Sequence, residues 1–64
     1  MDIGAKIRRE RIKKGLSQKH LAKQIGISNT YLSDIEVGRT LPSIRTLLKI
    51  SKELETDINT LCKG

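Results

Sequence analysis

Sixty-four residues carrying thirteen Lys and Arg against seven Asp and Glu, a net charge of +6, bound the chain to one small basic domain (1–64) near the lower size at which a single core sustains itself. With no Phe or Trp and one Tyr, that core must come from Leu, Ile, Val and Ala, which favours close-packed helices over a sheet, and no apolar run approaches the ~18 residues that cross a membrane. One Cys and one His rule out an internal disulfide and a structural zinc site, so no metal or cofactor is expected. Met1-Asp2 leads straight into an amphipathic segment rather than a signal peptide, which points to a cytoplasmic protein. Residues 1–52 hold twelve of the thirteen basic residues against four acids, whereas Glu53, Glu55 and Asp57 crowd the last dozen residues. A basic body of this kind suits a phosphate backbone. A membrane surface is the weaker explanation, because the basic stretch lacks the large aromatics that anchor in an interface.

The first predicted helix spans about Asp2 to Lys14. Asp2 stands where an acid is favoured by the helix dipole, Ile3 and Ile7 share one face, and Gly15 closes the segment. Four residues further along the same stripe comes Arg11 instead of an aliphatic side chain. A cation on a core-facing stripe needs an anion beside it. Glu36, four residues beyond the inward Leu32, is the candidate, and Arg11–Glu36 is expected as a partly buried pair tying the first helix to the third.

The second and third segments carry the functional signal. Ser17 is a good N-cap, Leu21, Ala22 and Ile25 follow at helical spacing, and Gly26 occupies the position just past the helix end. Only Gly26-Ile27 separates this segment from a new cap, Ser28, and the next helix runs from Asn29 to Val37 until Gly38 stops it. A turn this short between two helices, over about residues 17–37, is the geometry of a helix-turn-helix. At about 100° per residue, Leu32 and Ile35 point inward. The opposite side falls to Thr30, Ser33, Asp34 and Val37, with Asn29 free at the N-terminus. Short side chains that donate and accept hydrogen bonds are the kind that distinguish base edges in a major groove.

Arg39-Thr40-Leu41-Pro42 reads as a loop, with Pro42 stiffening the approach to a further N-cap, Ser43. The helix behind it places Ile44, Leu47, Leu48, Ile50 and Leu54 on one broad apolar stripe and Arg45, Lys49 and Lys52 on the exposed side, so it is predicted to be the main core helix. Asp57 can cap a last short turn that returns Ile58 and Leu61 to the core. His20 and Cys62 read as an exposed helix residue and a small terminal one, since a single copy of each lacks partners for catalysis.

Leu16-Ser17-Gln18, Leu21-Ala22, Gly26-Ile27-Ser28, Tyr31-Leu32-Ser33, Ile35-Glu36, Gly38-Arg39, Pro42-Ser43, Leu47-Leu48-Lys49-Ile50 and Leu54 together resemble the Cro and phage-repressor family of helix-turn-helix proteins. The resemblance covers nearly the whole chain. It implies an all-α fold, a compact bundle of five short helices of the lambda-repressor-like DNA-binding kind. It also implies that Gln18 meets the DNA backbone and braces the recognition helix, that Asn29, Thr30, Ser33 and Asp34 face base edges, and that Ser28 caps that helix at the backbone. The following loop would position the protein through Arg39, Thr40 and the backbone N–H groups around Ser43. Tyr31 matches a position that either touches phosphate through its hydroxyl or packs.

Two residues depart from the family pattern. Thr56 stands where an aliphatic residue is usual, which would loosen the C-terminal turn. Asp34 puts an anion on the DNA-facing side, where it either accepts from a cytosine amino group or pairs with Arg39 or Lys23. The implied function is a sequence-specific DNA-binding regulator, a repressor on a palindromic operator bound as a homodimer, with self-contact around Thr56 to Leu61 where the charge turns acidic. The alternative is an antitoxin-type or protein-interaction module whose main partner is another protein. An enzyme is not expected, because no His, Cys or carboxylate cluster has catalytic spacing.

Overall fold

A computed structural model describes residues 2–62, and within them the chain forms five helices and no strand. They are α1 (Ile3–Lys13), α2 (Gln18–Ile25), α3 (Asn29–Glu36), α4 (Ile44–Glu53) and α5 (Ile58–Cys62). Each of the first four starts on a side chain that accepts the backbone N–H three residues on. Asp2 accepts from Ala5 at 3.1 Å, Ser17 from His20 at 3.0 Å, Ser28 from Tyr31 at 3.0 Å and Ser43 from Thr46 at 3.1 Å. These caps satisfy donors that would otherwise be orphaned in the first turn.

The same four helices also end alike, with the chain turning left-handed and two N–H groups folding back onto carbonyls of the last turn. After α3, for example, Gly38 N–H donates to Ile35 at 3.1 Å and Arg39 N–H to Asp34 at 2.9 Å. Gly15, Gly26 and Gly38 supply the positive φ in three of these turns. The fourth, after α4, is made by Glu55 at φ +54, with Thr56 N–H donating to Ser51 at 2.9 Å. Nothing in the sequence marks that site, because the glycine that signals such a turn is missing.

The core gathers Ile7 from α1, Leu21, Ala22 and Ile25 from α2, Leu32 and Ile35 from α3, Leu47 and Ile50 from α4 with its cap residue Leu54, and Leu61 from α5. Leu16, Ile27, Tyr31 and Ile58 pack against it from the edges. The stripe expected on α4 is narrower than its sequence indicates. Ile44 and Leu48 are 72% and 51% exposed, because α4 seats on the centre line of Leu47, Ile50 and Leu54, and the other two fall well to one side of it at ~100° per residue. Thr46 and Ser51 are the buried flanking residues. Both are satisfied locally: Thr46 Oγ1 accepts from Ser43 Oγ at 2.9 Å, and Ser51 Oγ donates to the Leu48 carbonyl at 2.9 Å. Small residues with internal partners let α4 approach its neighbours closely at no desolvation penalty.

Thr56 does not loosen the C-terminal turn. Its hydroxyl lies 3.3 Å from Glu10 Oε1 and 3.2 Å from the Leu54 carbonyl, anchoring the turn to α1. Asp57 Oδ1 accepts from Asn59 N–H at 2.9 Å at the start of α5.

Candidate nucleic-acid interface

The outward face of α3 is held in place by a chain of polar contacts running from α1 through α2. Arg11 and Glu36, 9% and 4% exposed, form a bidentate pair, with Nε donating to Oε2 at 2.7 Å and Nη2 to Oε1 at 3.0 Å. The third arm of the guanidinium, Nη1, donates to the Leu16 carbonyl at 2.8 Å, just before α2 begins. Gln18 Nε2 then donates to Glu36 Oε1 at 3.2 Å, and Gln18 Oε1 accepts from Asn29 Nδ2 at 3.3 Å. One buried carboxylate therefore fixes the end of α1, the start of α2 and both ends of α3. Fork geometry matches carboxylate to guanidinium in a single relative orientation, so the pair sets direction as well as distance.

Gly4 makes this arrangement possible. A Cβ at that position would collide with the Ile35 carbonyl and come within 3.0 Å of the Glu36 carbonyl, so α1 crosses the end of α3 with backbone against backbone. The sequence gives little warning of this: Gly4 is an isolated glycine in a helical pattern, and its meaning depends on the approach of a helix thirty residues away.

The residues assigned to base edges divide by exposure. Asn29 and Thr30 are exposed, and Ser33 and Asp34 are half-buried. Asn29, expected from the sequence to be free at the N-terminus of the helix, is instead tied to α2, because its amide donates to Gln18 Oε1; an amide oxygen keeps the capacity to accept a further hydrogen bond. Asp34 Oδ1 lies 3.6 Å from Arg39 Nη1, so its anion is partly balanced at the end of the helix. Among the residues assigned to phosphate, Ser28, Arg39, Thr40 and Ser43 are exposed and Gln18 and Tyr31 half-buried. Tyr31 packs its ring on the core. The Ser28 hydroxyl accepts a cap bond and keeps its proton to donate. The Ser43 hydroxyl donates to Thr46 Oγ1 and accepts from the Thr46 N–H, so it is committed to the cap of α4.

Read outward from Glu36, the arrangement is two short capped helices joined by Gly26-Ile27, the second offering a polar edge while its inner residues are locked. The helix-turn-helix family model matches residues 7–61. The chain belongs to the helix-turn-helix family, of the Cro and phage-repressor type. Among its relatives, the ImmF control region 10 kDa protein of Bacillus phage phi105 is 49% identical over 59 residues, covering 92% of this chain and 66% of that protein. The transcriptional regulator SinR of Bacillus subtilis is 42% identical over 60 residues, covering 92% of this chain and 54% of SinR. The chain thus spans about half to two thirds of the length of these relatives. A crystal structure of SinR in complex with DNA superposes with a TM-score of 0.90 at 39% identity, covering 95% of this chain and 98% of that one. The P22 c2 repressor in complex with a synthetic operator gives 0.92 at 36% identity, covering 100% and 97%. No helix among the described residues is long and apolar enough to cross a membrane.

Proposed function

We propose that this chain is one helix-turn-helix domain, residues 1–64, that binds double-stranded DNA by sequence and regulates transcription in the cytoplasm, acting as a repressor on a palindromic operator occupied by a homodimer. The observation that carries this reading is the outward edge of α3. Asn29, Thr30 and Ser33 project from a helix whose inner residues, Leu32, Ile35 and Glu36, are buried, so the edge is presented rigidly and is not needed for the core. In the proposed complex α3 lies in the major groove and Asn29, Thr30, Ser33 and Asp34 read base edges. Gln18, Ser28, Tyr31, Arg39, Thr40 and the Ser43 backbone hold the phosphates on either side. The net charge of +6 supplies the salt-sensitive part of the affinity. SinR and the P22 c2 repressor, each solved in complex with DNA, support the reading of this chain as a DNA-binding domain.

Selection of bound sequences from random duplex DNA, run at stated salt, tests the proposal. An enriched palindrome with half-sites one helical turn apart is the expected result. Retention of DNA with no enriched sequence would contradict it.

A further inference from the structure

We infer that Asp34 sets specificity by exclusion: its carboxylate admits cytosine at one base pair of each half-site, through the cytosine amino group, and lowers the affinity of the domain for sequences that offer an acceptor there. The inference rests on the DNA-binding reading above. It deepens that reading by giving one residue of the α3 edge a sign opposite to that of its neighbours, whose loss only weakens binding.

Helix stability does not account for an acid at this position. Asp34 stands in the last turn of α3, which ends at Glu36 and holds no basic residue in that turn, so the negative end of the helix dipole opposes its charge. Asp is also among the weaker helix formers. The compensating cation is Arg39. Gly38 turns the chain left-handed at φ +84, the Arg39 N–H folds back to the Asp34 carbonyl at 2.9 Å, and the guanidinium is brought to 3.6 Å from Oδ1. That separation is too long for a hydrogen bond, and the Arg39 side chain is 78% exposed. A pair of this kind contributes little, so Arg39 can turn to a phosphate at small cost and leave the carboxylate facing the groove.

The rest of the helix fixes where that carboxylate faces. Thr30, one turn before Asp34 on the same side, is exposed, and Ser33 is half-buried beside it, while Leu32, Ile35 and Glu36 are buried on the inner side. Asp34 keeps 35% of its side chain exposed. It therefore stands between the residues assigned to base edges and the phosphate contact at Arg39, where the DNA backbone is negative on every sequence. An ionised carboxylate accepts hydrogen bonds and donates none. In the major groove guanine shows N7 and O6 and thymine shows O4, all of them acceptors, so both oppose it. Adenine and cytosine each offer an amino group, but adenine sets its N7 acceptor on the outer side of that group, where cytosine carries only a C–H. Cytosine is thus the base that satisfies one carboxylate oxygen without opposing the other. Repulsion that one sequence alone relieves is a means of rejecting the others.

The test runs the selection from random duplex DNA with the wild-type chain, with Asp34→Ala and with Asp34→Asn, which removes the charge at constant shape and carries the test if the alanine variant loses structure by circular dichroism. Affinities are then measured at one salt concentration for the wild-type operator, for that operator with guanine in place of the cytosine, and for random duplex. The wild type is expected to enrich cytosine at one position in each half-site and to lose about tenfold or more per half-site on the change to guanine. Asp34→Ala should be indifferent at that position, within about threefold, and both variants should bind random duplex about three- to tenfold more tightly than the wild type. The inference is overturned by a base profile that the variants leave unchanged, by a wild-type preference at the affected position for any base but cytosine, or by random-duplex affinity that rises in neither variant. A wild type that enriches no sequence would instead remove the DNA-binding reading itself.

Discussion

Truncating Glu36 removes the acceptor around which three helices are arranged. In Glu36→Ala, Arg11 keeps only the Leu16 carbonyl at 2.8 Å and loses both carboxylate bonds, leaving a guanidinium uncompensated at 9% exposure. Breaking a buried pair from one side costs about 3–5 kcal/mol. A chain of this length holds roughly 3–10 kcal/mol in total, so the loss is a large share of its stability and the urea midpoint should fall sharply. Arg11→Ala should lose a similar amount, since it strands a carboxylate supported only by Gln18 at 3.2 Å. The Arg11→Met/Glu36→Leu double substitution leaves no charge behind and should recover most of the loss, because well-packed apolar replacements of buried pairs are often neutral or better. Urea unfolding followed by circular dichroism across the Ala cycle gives the coupling directly. Single losses below about 1 kcal/mol with coupling near zero would be the values of an exposed pair, and they would refute the reasoning.

Three other substitutions probe the frame and the phosphate edge. Glu55→Gly relieves a left-handed residue at φ +54 and gives up only a surface contact with Lys14 at 3.6 Å, so it should stabilise by about 0.5–1 kcal/mol. A fall in Tm would contradict that. Gly4→Ala improves helix propensity but drives a methyl group into the Ile35 carbonyl; the overlap should win and destabilise by about 1–3 kcal/mol, whereas a rise in Tm would show that α1 moves away freely. Arg39→Ala should weaken binding to all sequences about equally and lower the salt slope by about one, as loss of one phosphate contact requires. Loss confined to a single operator would assign Arg39 to a base instead.

What was legible in the sequence was mostly local. Ser17, Ser28 and Ser43 announce helix starts because a cap reaches only three residues along the chain, and Gly15, Gly26 and Gly38 announce ends because only glycine adopts that turn without strain. Arg11 and Glu36 were visible as a pair because each interrupts an apolar stripe that has a definite direction. The features that escaped depend on contacts between segments or on a missing signal. The Gln18–Asn29 bond and the close crossing at Gly4 exist only once α1, α2 and α3 are assembled. Glu55 takes a glycine conformation without glycine. Ile44 and Leu48 look like core residues because periodicity gives the width of an apolar arc and not the part of it that a neighbour covers.

The central claim, that the outward edge of α3 reads sequence, is tested most directly by the specificity ratio of Asn29→Ala and Thr30→Ala. Binding to the selected operator and to random duplex is measured at one salt concentration, with circular dichroism as the folding control. Both residues are exposed, and the Asn29 side chain gives up one exposed hydrogen bond, at 3.3 Å to Gln18, so folding should be nearly unchanged. Each variant should lose about 1–3 kcal/mol of discrimination at its own base pair while keeping its non-specific affinity. Folded variants that both still prefer the operator by the wild-type ratio would show that this helix is not the reader.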